Sequence, residues 1–410
     1  MKRRQWLRET GLGVGLGLGV SRFLGLGLAG LPARLALAST DTEQRLVLLF
    51  LRGGLDGLHA VAPWGDRDYR ALRPTLALAP PGEPDGVVDL DGHFGLHPAL
   101  APLADLYAAG ELAVLPAAAT GYRDRSHFDG QNLLENGSGK PFGAQDGWLN
   151  RAVAALAVPA QGGDRRLGLA LGPSVPLILR GEAAIQTWSD SRLPAVSDDF
   201  LLRLERIYAE DPAFAQAMTL ARGTPSPDLG DMGGAGRRRA FGGEDLTLTA
   251  RAAADLLARP DGPRVAVIES QGWDTHFDQA RRLAALFADL AGALTTLRDG
   301  LGPAWGQTAV LVVSEFGRTA AENGSRGTDH GTGGVALLAG GAVRGGRVLG
   351  DWPGLAQRDL YEGRDLHAAN AYEDLFAAAL VDHLGLAPDV VERSVLPSSR
   401  AGRRLPGLFA

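Results

Sequence analysis

The sequence predicts an α/β fold, a three-layer α/β/α sandwich on a mostly parallel sheet. Three observations predict it. Short apolar runs alternate with helical patterns along the chain, as in sheets covered by helices on both faces. The runs are apolar at successive positions, which marks strands buried on both sides. Two of them, Val265-Ala-Val-Ile268 and Ala309-Val-Leu-Val-Val313, lead into clusters rich in Asp, Glu and His. Ligands of open α/β sheets collect beyond the carboxyl ends of such strands.

The first 38 residues are set apart from the fold. Lys2-Arg3-Arg4-Gln5-Trp6-Leu7 is a twin-arginine pattern, a glycine-rich, weakly apolar stretch follows from Gly11 to Gly30, and Ala36-Leu37-Ala38 has the small-x-small form of a cleavage site. The reading is a signal peptide for the twin-arginine export machinery, with a mature chain starting near Ser39 and a periplasmic or extracellular destination. The alternative is a retained membrane anchor, but Arg22 and the glycines interrupt the apolar stretch. No stable membrane span is expected after cleavage.

Arg45-Leu-Val-Leu-Leu-Phe-Leu51 reads as the first strand and runs into Arg52-Gly-Gly-Leu-Asp56-Gly, where glycines allow a tight turn. His97-Pro98 opens a helical pattern over Ala99 to Ala109, and Leu112 to Leu115 is the next strand. Ser126-His127-Phe128-Asp129 has the form of a helix start, with Ser126 as N-cap. Further strands are expected at Leu167 to Leu171, Pro176 to Leu179, Val265 to Ile268, Ala309 to Val313 and Val335 to Leu338, and further helices at Phe277 to Leu297 and Ala371 to Leu384. Residues 39–410 then form a single domain. It carries an insertion at about 182–245, polar and helix-like over Asp198 to Thr219 and Pro/Gly-rich over Gly223 to Gly243.

Composition narrows the function. The chain has 41 Lys and Arg against 47 Asp and Glu; without residues 1–38, which hold six basic residues and one acidic residue, 35 and 46 remain, a net charge of −11. That balance argues against a nucleic-acid partner. The chain has no cysteine, so disulfides and thiolate metal sites are excluded and a metal must be held by oxygen and imidazole nitrogen. Zinc, manganese, calcium and magnesium are the divalent ions such donors suit.

Five ordered motifs carry a resemblance: Phe94-Gly-Leu-His97-Pro, Arg125-Ser-His-Phe-Asp129-Gly-Gln, Gly272-Trp-Asp-Thr-His276, Ser314-Glu-Phe-Gly-Arg-Thr319 and Glu322-Asn-Gly-Ser-Arg-Gly-Thr-Asp-His-Gly331. Together they resemble the exported bacterial family known as domain of unknown function 1501, grouped with the alkaline phosphatase-like and sulfatase-like superfamily. The resemblance spans nearly the whole mature chain. It implies an alkaline phosphatase-like sheet whose metal ligands follow several strands, with a Ser or Thr nucleophile at a helix start. On that pattern Asp56, Asp274, His276, Glu315 and His330 are candidate metal ligands, and Asp329 either ligates or orients an imidazole. Ser126 is in the nucleophile's place or is only a cap. His127 beside it either bonds within the fold or reaches a ligand, and Arg125 or Arg318 would hold the non-bridging oxygens of an ester. The superfamily has an Asp-His pair where this chain has Ser314-Glu315, and it spaces the middle Asp and His by four residues where Asp274 and His276 are two apart.

The expected function is that of an exported hydrolase or transferase dependent on one or two divalent ions. Its substrate would be a small-molecule or envelope-derived phosphate or sulfate ester. The alternative is a noncatalytic exported protein with a structural or ligand-binding metal site. A weaker third reading has no metal and an acidic cluster that contacts envelope sugars.

Overall fold

The computed structural model of the 410-residue chain describes residues 42–156, 167–190, 203–204, 206–208, 211, 215, 245–400 and 403–410. Residues 1–38, read above as a signal peptide, most of 198–219 and the Pro/Gly-rich stretch 223–243 lie outside the described residues.

Twelve strands are present among the described residues: β1 (Arg45–Leu51), β2 (Val61–Ala62), β3 (Val88–Asp89), β4 (Gly95–Leu96), β5 (Leu112–Ala119), β6 (Gly168–Leu171), β7 (Ile185–Trp188), β8 (Val265–Ser270), β9 (Thr308–Val313), β10 (Gly334–Ala339), β11 (Arg347–Val348) and β12 (Asn370–Ala371). Nine of them make the main sheet, in the order β11-β5-β10-β9-β1-β8-β6-β7 with β12 beside β5; β2, β4 and β3 form a small separate sheet. Pairing in the main sheet is parallel except at β10, which runs antiparallel to both β5 and β9.

The side-chain period of two places successive residues of a strand on opposite faces. In β1, Leu46, Leu48 and Phe50 enter one apolar core, and Val47, Leu49 and Leu51 enter the other. All seven residues of β1 are buried, and each large apolar side chain contributes about 2 kcal/mol by leaving water. The first core is closed by helices α2 (Trp148–Leu156) and α5 (Tyr372–Ala378). The second is closed by α3 (Leu246–Ala258) and α4 (Gln279–Leu301). Helix α4 buries Leu283, Phe287, Leu290, Leu294, Leu297 and Leu301, an i, i+3, i+4 stripe facing the sheet. The three-layer α/β/α sandwich is therefore the observed fold. A further helix, His127–Asn136, starts beyond β5 and ends on Gly137 in the left-handed region; it is called αN below.

Several local expectations are corrected. Pro176 to Leu179 is not a strand; Leu177–Leu179 is a 3-10 turn, and Pro176 has no N–H to give a ladder. The edge position is taken by β7 instead, inside the segment read as insertion. Its residues are only partly buried, so they leave no continuous apolar run. The pattern after His97 forms a 3-10 turn over Pro98–Leu103, which contains Pro102, and only then a short helix. Helix α5 gives way to a wider π-type turn over Ala379–His383.

Candidate metal centre

The chain ends of β1, β5, β8 and β9 lie at one rim of the sheet, because these strands are parallel. The loops beyond them carry Asp56, His127, Asp274 and Glu315. His330 precedes β10, and it reaches the same rim because β10 runs the other way.

At this rim, atoms from three loops converge. His127 Nε2 lies 3.0 Å from His330 Nε2 and 3.5 Å from Asp274 Oδ1, and His330 Nε2 lies 3.2 Å from Asp274 Oδ1. His276 Nε2 lies 2.9 Å from the same Asp274 oxygen and 3.1 Å from His330 Nε2. The result is two triangles of donor atoms that share the Asp274–His330 edge. Donors bound to one ion at about 2.1 Å are separated by about 3.0 to 3.6 Å, so this spacing fits a common cation. The described residues also place His127, Asp274 and His330 as a mutually close group of possible ligands.

The other ring nitrogens make the same point. His127 Nδ1 is 2.7 Å from Glu315 Oε1, His276 Nδ1 is 3.3 Å from Asp329 Oδ1, and His330 Nδ1 is 3.1 Å from the Arg125 carbonyl oxygen. All three partners are acceptors, so each imidazole donates from Nδ1 and turns the lone pair of Nε2 towards the cluster. Imidazoles that bind metals are held in this way by carboxylates and carbonyls. Arg125 has φ of 62°, a left-handed conformation for a non-glycine residue, at the carbonyl that receives His330.

Burial disfavours a charge on His127, but hydrogen bonds with Asp274 and Glu315 outweigh it and push its pKa up to about 9. Burial likewise opposes a charge on Asp274, yet His127, His330 and Arg318 hold its carboxyl far below the usual carboxylate range. Without a cation, a proton on His127 thus relieves the convergence of acceptors. His127 is raised from 6.5 to about 9, so its contribution to stability is complete below pH 6.5 and is lost as pH climbs through about 9. The expected result in chelator is a urea midpoint that falls across this interval in the native chain and loses that fall in His127→Gln. Equal pH dependence in both proteins excludes His127 as the source.

The remaining candidates occupy different places. Asp56 is not among the converging donors: its Oδ2 accepts from Arg73 Nη1 at 2.7 Å and Gln279 Nε2 at 2.5 Å, and the residue is 1% exposed. Glu315 stands one residue behind the cluster. Its Oε1 accepts from His127 Nδ1, from Gln131 Nε2 at 2.9 Å and from Gly53 N at 2.9 Å, so it orients a ring rather than facing the centre. Asp329 has the orienting one of its two expected positions, beside His276. Arg318 is buried and donates to the carbonyls of Gly53, Gly54, Trp273 and Thr328 and to Asp274. It braces these loops instead of facing a substrate. Arg125 is bound to Asp365 at 2.8 Å and Glu362 at 2.5 Å. Ser126 holds the N-cap position of αN, and its side chain makes no capping hydrogen bond there. It lies between the carbonyl that holds His330 and the ring of His127.

Sequence reading missed Gln131, Asn323 and Phe316. Gln131 braces Glu315, Asn323 donates to the His276 carbonyl and to Asp329, and Phe316 stacks on His127 at 4.8 Å. The spacing from His127 to Gln131, one helical turn, is the signal that was present.

Fold and site together define an α/β sandwich with a candidate metal centre at the strand ends. The chain belongs to the family described as protein of unknown function (DUF1501), whose model matches residues 117–394. Among solved structures it is similar to Ps i-CgsB, at 12% identity with 89% of this chain and 78% of that chain covered and a TM-score of 0.43. It is also similar to the phosphonate monoester hydrolase of Agrobacterium radiobacter, at 13% identity, 89% and 79% coverage and a TM-score of 0.33. For the alkaline phosphatase of the Antarctic bacterium TAB5 the values are 12%, 72% and 90%, and 0.31. No curated protein sequence matches the chain. No helix among the described residues is long and apolar enough to cross a membrane.

Proposed function

We propose that this chain is an exported, metal-dependent hydrolase or transferase of phosphate or sulfate esters, its divalent ion held by His127, Asp274 and His330 with His276 as a further donor. The observation that carries this reading is the convergence of three Nε2 atoms and one carboxylate oxygen, each ring held from behind by an acceptor. Imidazoles with one carboxylate suit zinc better than magnesium or calcium, which prefer oxygen ligands. Such a cation, when bound, supplies Lewis acidity towards an anionic ester.

The chain's own groups complete the chemistry. Ser126, uncapped at the start of αN, is the nucleophile in this reading. The unpaired amides of the first turn of αN face an anion favourably. They take the part expected of Arg125 and Arg318, whose guanidinium groups are engaged elsewhere. The side chains of the cluster are partly open to water, His276 at 40% and Asp274 at 44%, which leaves a path for substrate. Export rests on the twin-arginine pattern at Arg3-Arg4.

The engagement of both arginines also favours the second reading, a noncatalytic metal site. Purified chain loaded with zinc or manganese separates the two on aryl phosphate, phosphodiester and aryl sulfate substrates. Metal-dependent turnover that falls by about 10³-fold in Ser126→Ala supports the enzyme. Bound metal with no turnover on any of the three supports the noncatalytic protein, and a chain that takes up no metal sinks both.

A further inference from the structure

Two loops bring Asp274, His276 and His330 together, and one buried side chain ties them to each other. Thr275 lies between Asp274 and His276, and its hydroxyl donates to Gln279 Oε1 at 3.1 Å. Thr328, two residues before His330, donates to the same oxygen at 2.7 Å. On its other side Gln279 Nε2 donates to Asp56 Oδ2. Thr275, Gln279 and Thr328 are each 0% exposed.

An amide has one accepting and one donating end, so its orientation follows from its partners. A carboxylate only accepts, which fixes the NH2 of Gln279 towards Asp56 and its oxygen towards the two hydroxyls. Asp56 is itself held by Arg73, which also donates to the Thr319 and Ala320 carbonyls. The backbone follows the same seam: Gln279 N donates to the Arg326 carbonyl at 3.0 Å, and a Cβ on Gly327 would lie 2.3 Å from the His276 carbonyl carbon. The two loops can approach this closely only with glycine there.

We infer that Gln279, oriented by Asp56, is a positioning residue that clamps the Thr275 and Thr328 loops in register and so sets the spacing of the ligands His276, Asp274 and His330. This rests on the metal reading above. Asp56 thereby acts on the centre through Gln279 rather than as a ligand.

The test measures zinc affinity by competition with a chromogenic chelator for the full chain and for Thr275→Val, Thr328→Val, Thr275→Ser and Thr328→Ser, alongside melting temperatures in chelator. Each Val variant keeps the shape, removes one hydroxyl and leaves Gln279 its other partner. Outer partners of metal ligands typically contribute 10- to 100-fold in affinity, so the expected loss is about 10-fold for each Val variant, while each Ser variant binds within about twofold of the native chain. Native zinc affinity in both Val variants, whatever their melting temperatures, overturns the clamp and leaves the metal reading intact. A native chain that binds no zinc overturns both.

Discussion

His330→Ala is expected to lose bound metal on dialysis, with affinity reduced by on the order of 100-fold or more. A structural zinc site of about four ligands is worth roughly 10–16 kcal/mol, so one ligand represents about 3 kcal/mol. Of the proposed ligands, His330 is the one whose loss is expected to reach furthest, because its Nε2 lies on the edge common to both donor triangles and within 3.2 Å of His127, His276 and Asp274. His93 supplies the control: it packs edge-on against Phe94 at 4.8 Å, away from the cluster, and His93→Ala is expected to keep its metal. Elemental analysis after dialysis, followed by calorimetric titration, reads the difference. Full-affinity metal in His330→Ala would mean that the rim does not hold the ion.

The largest stability effect is expected from Arg318→Leu. Its Nε donates to the Gly54 carbonyl at 2.6 Å, and its two Nη groups reach the Gly53, Trp273 and Thr328 carbonyls and Asp274. No leucine can serve these acceptors, and the position is only 1% exposed. Leaving a buried acceptor without its donor costs about 1–3 kcal/mol per group, so losing several of these carbonyl bonds is expected to cost about 3–5 kcal/mol, a large part of the 5–15 kcal/mol that stabilises a typical domain. Urea denaturation of the metal-free protein is expected to show a loss of this size. Arg318→Lys should recover little of it, because one ammonium cannot span the guanidinium fork. A loss under about 1 kcal/mol in Arg318→Leu would show that Arg318 does not brace the loops.

Much of the site was legible because polar residues that follow apolar strands reveal themselves by contrast. Asp274 and His276 after β8, and His330 before β10, were found in this way, and the structure brings them together. Asp56 had the same signal, after β1 and among glycines, and yet it is turned inward to Arg73. Nothing in the local pattern distinguishes the two fates, since Arg73 pairs with Asp56 through a contact that only the folded chain makes. Glu315, expected as a ligand, stands behind the ring of His127, whose part the sequence left open between a bond within the fold and a ligand contact, for a similar reason. Both lie at the rim, and the geometry of αN, rather than residue type, puts the ring in front and the carboxylate behind.

By itself, the sequence determined the long buried strands β1, β5, β6, β8, β9 and β10, the sandwich and the rim where chemistry collects. These follow from the periodicity of apolar residues, which is a local property of the chain. Only the tertiary structure decided which polar side chains face the centre, which brace it from behind and which are buried as loop supports. Those roles depend on partners up to 265 positions apart, as between Arg318 and Gly53. They also depend on one strand, β10, running against its neighbours, and no local pattern carries that information.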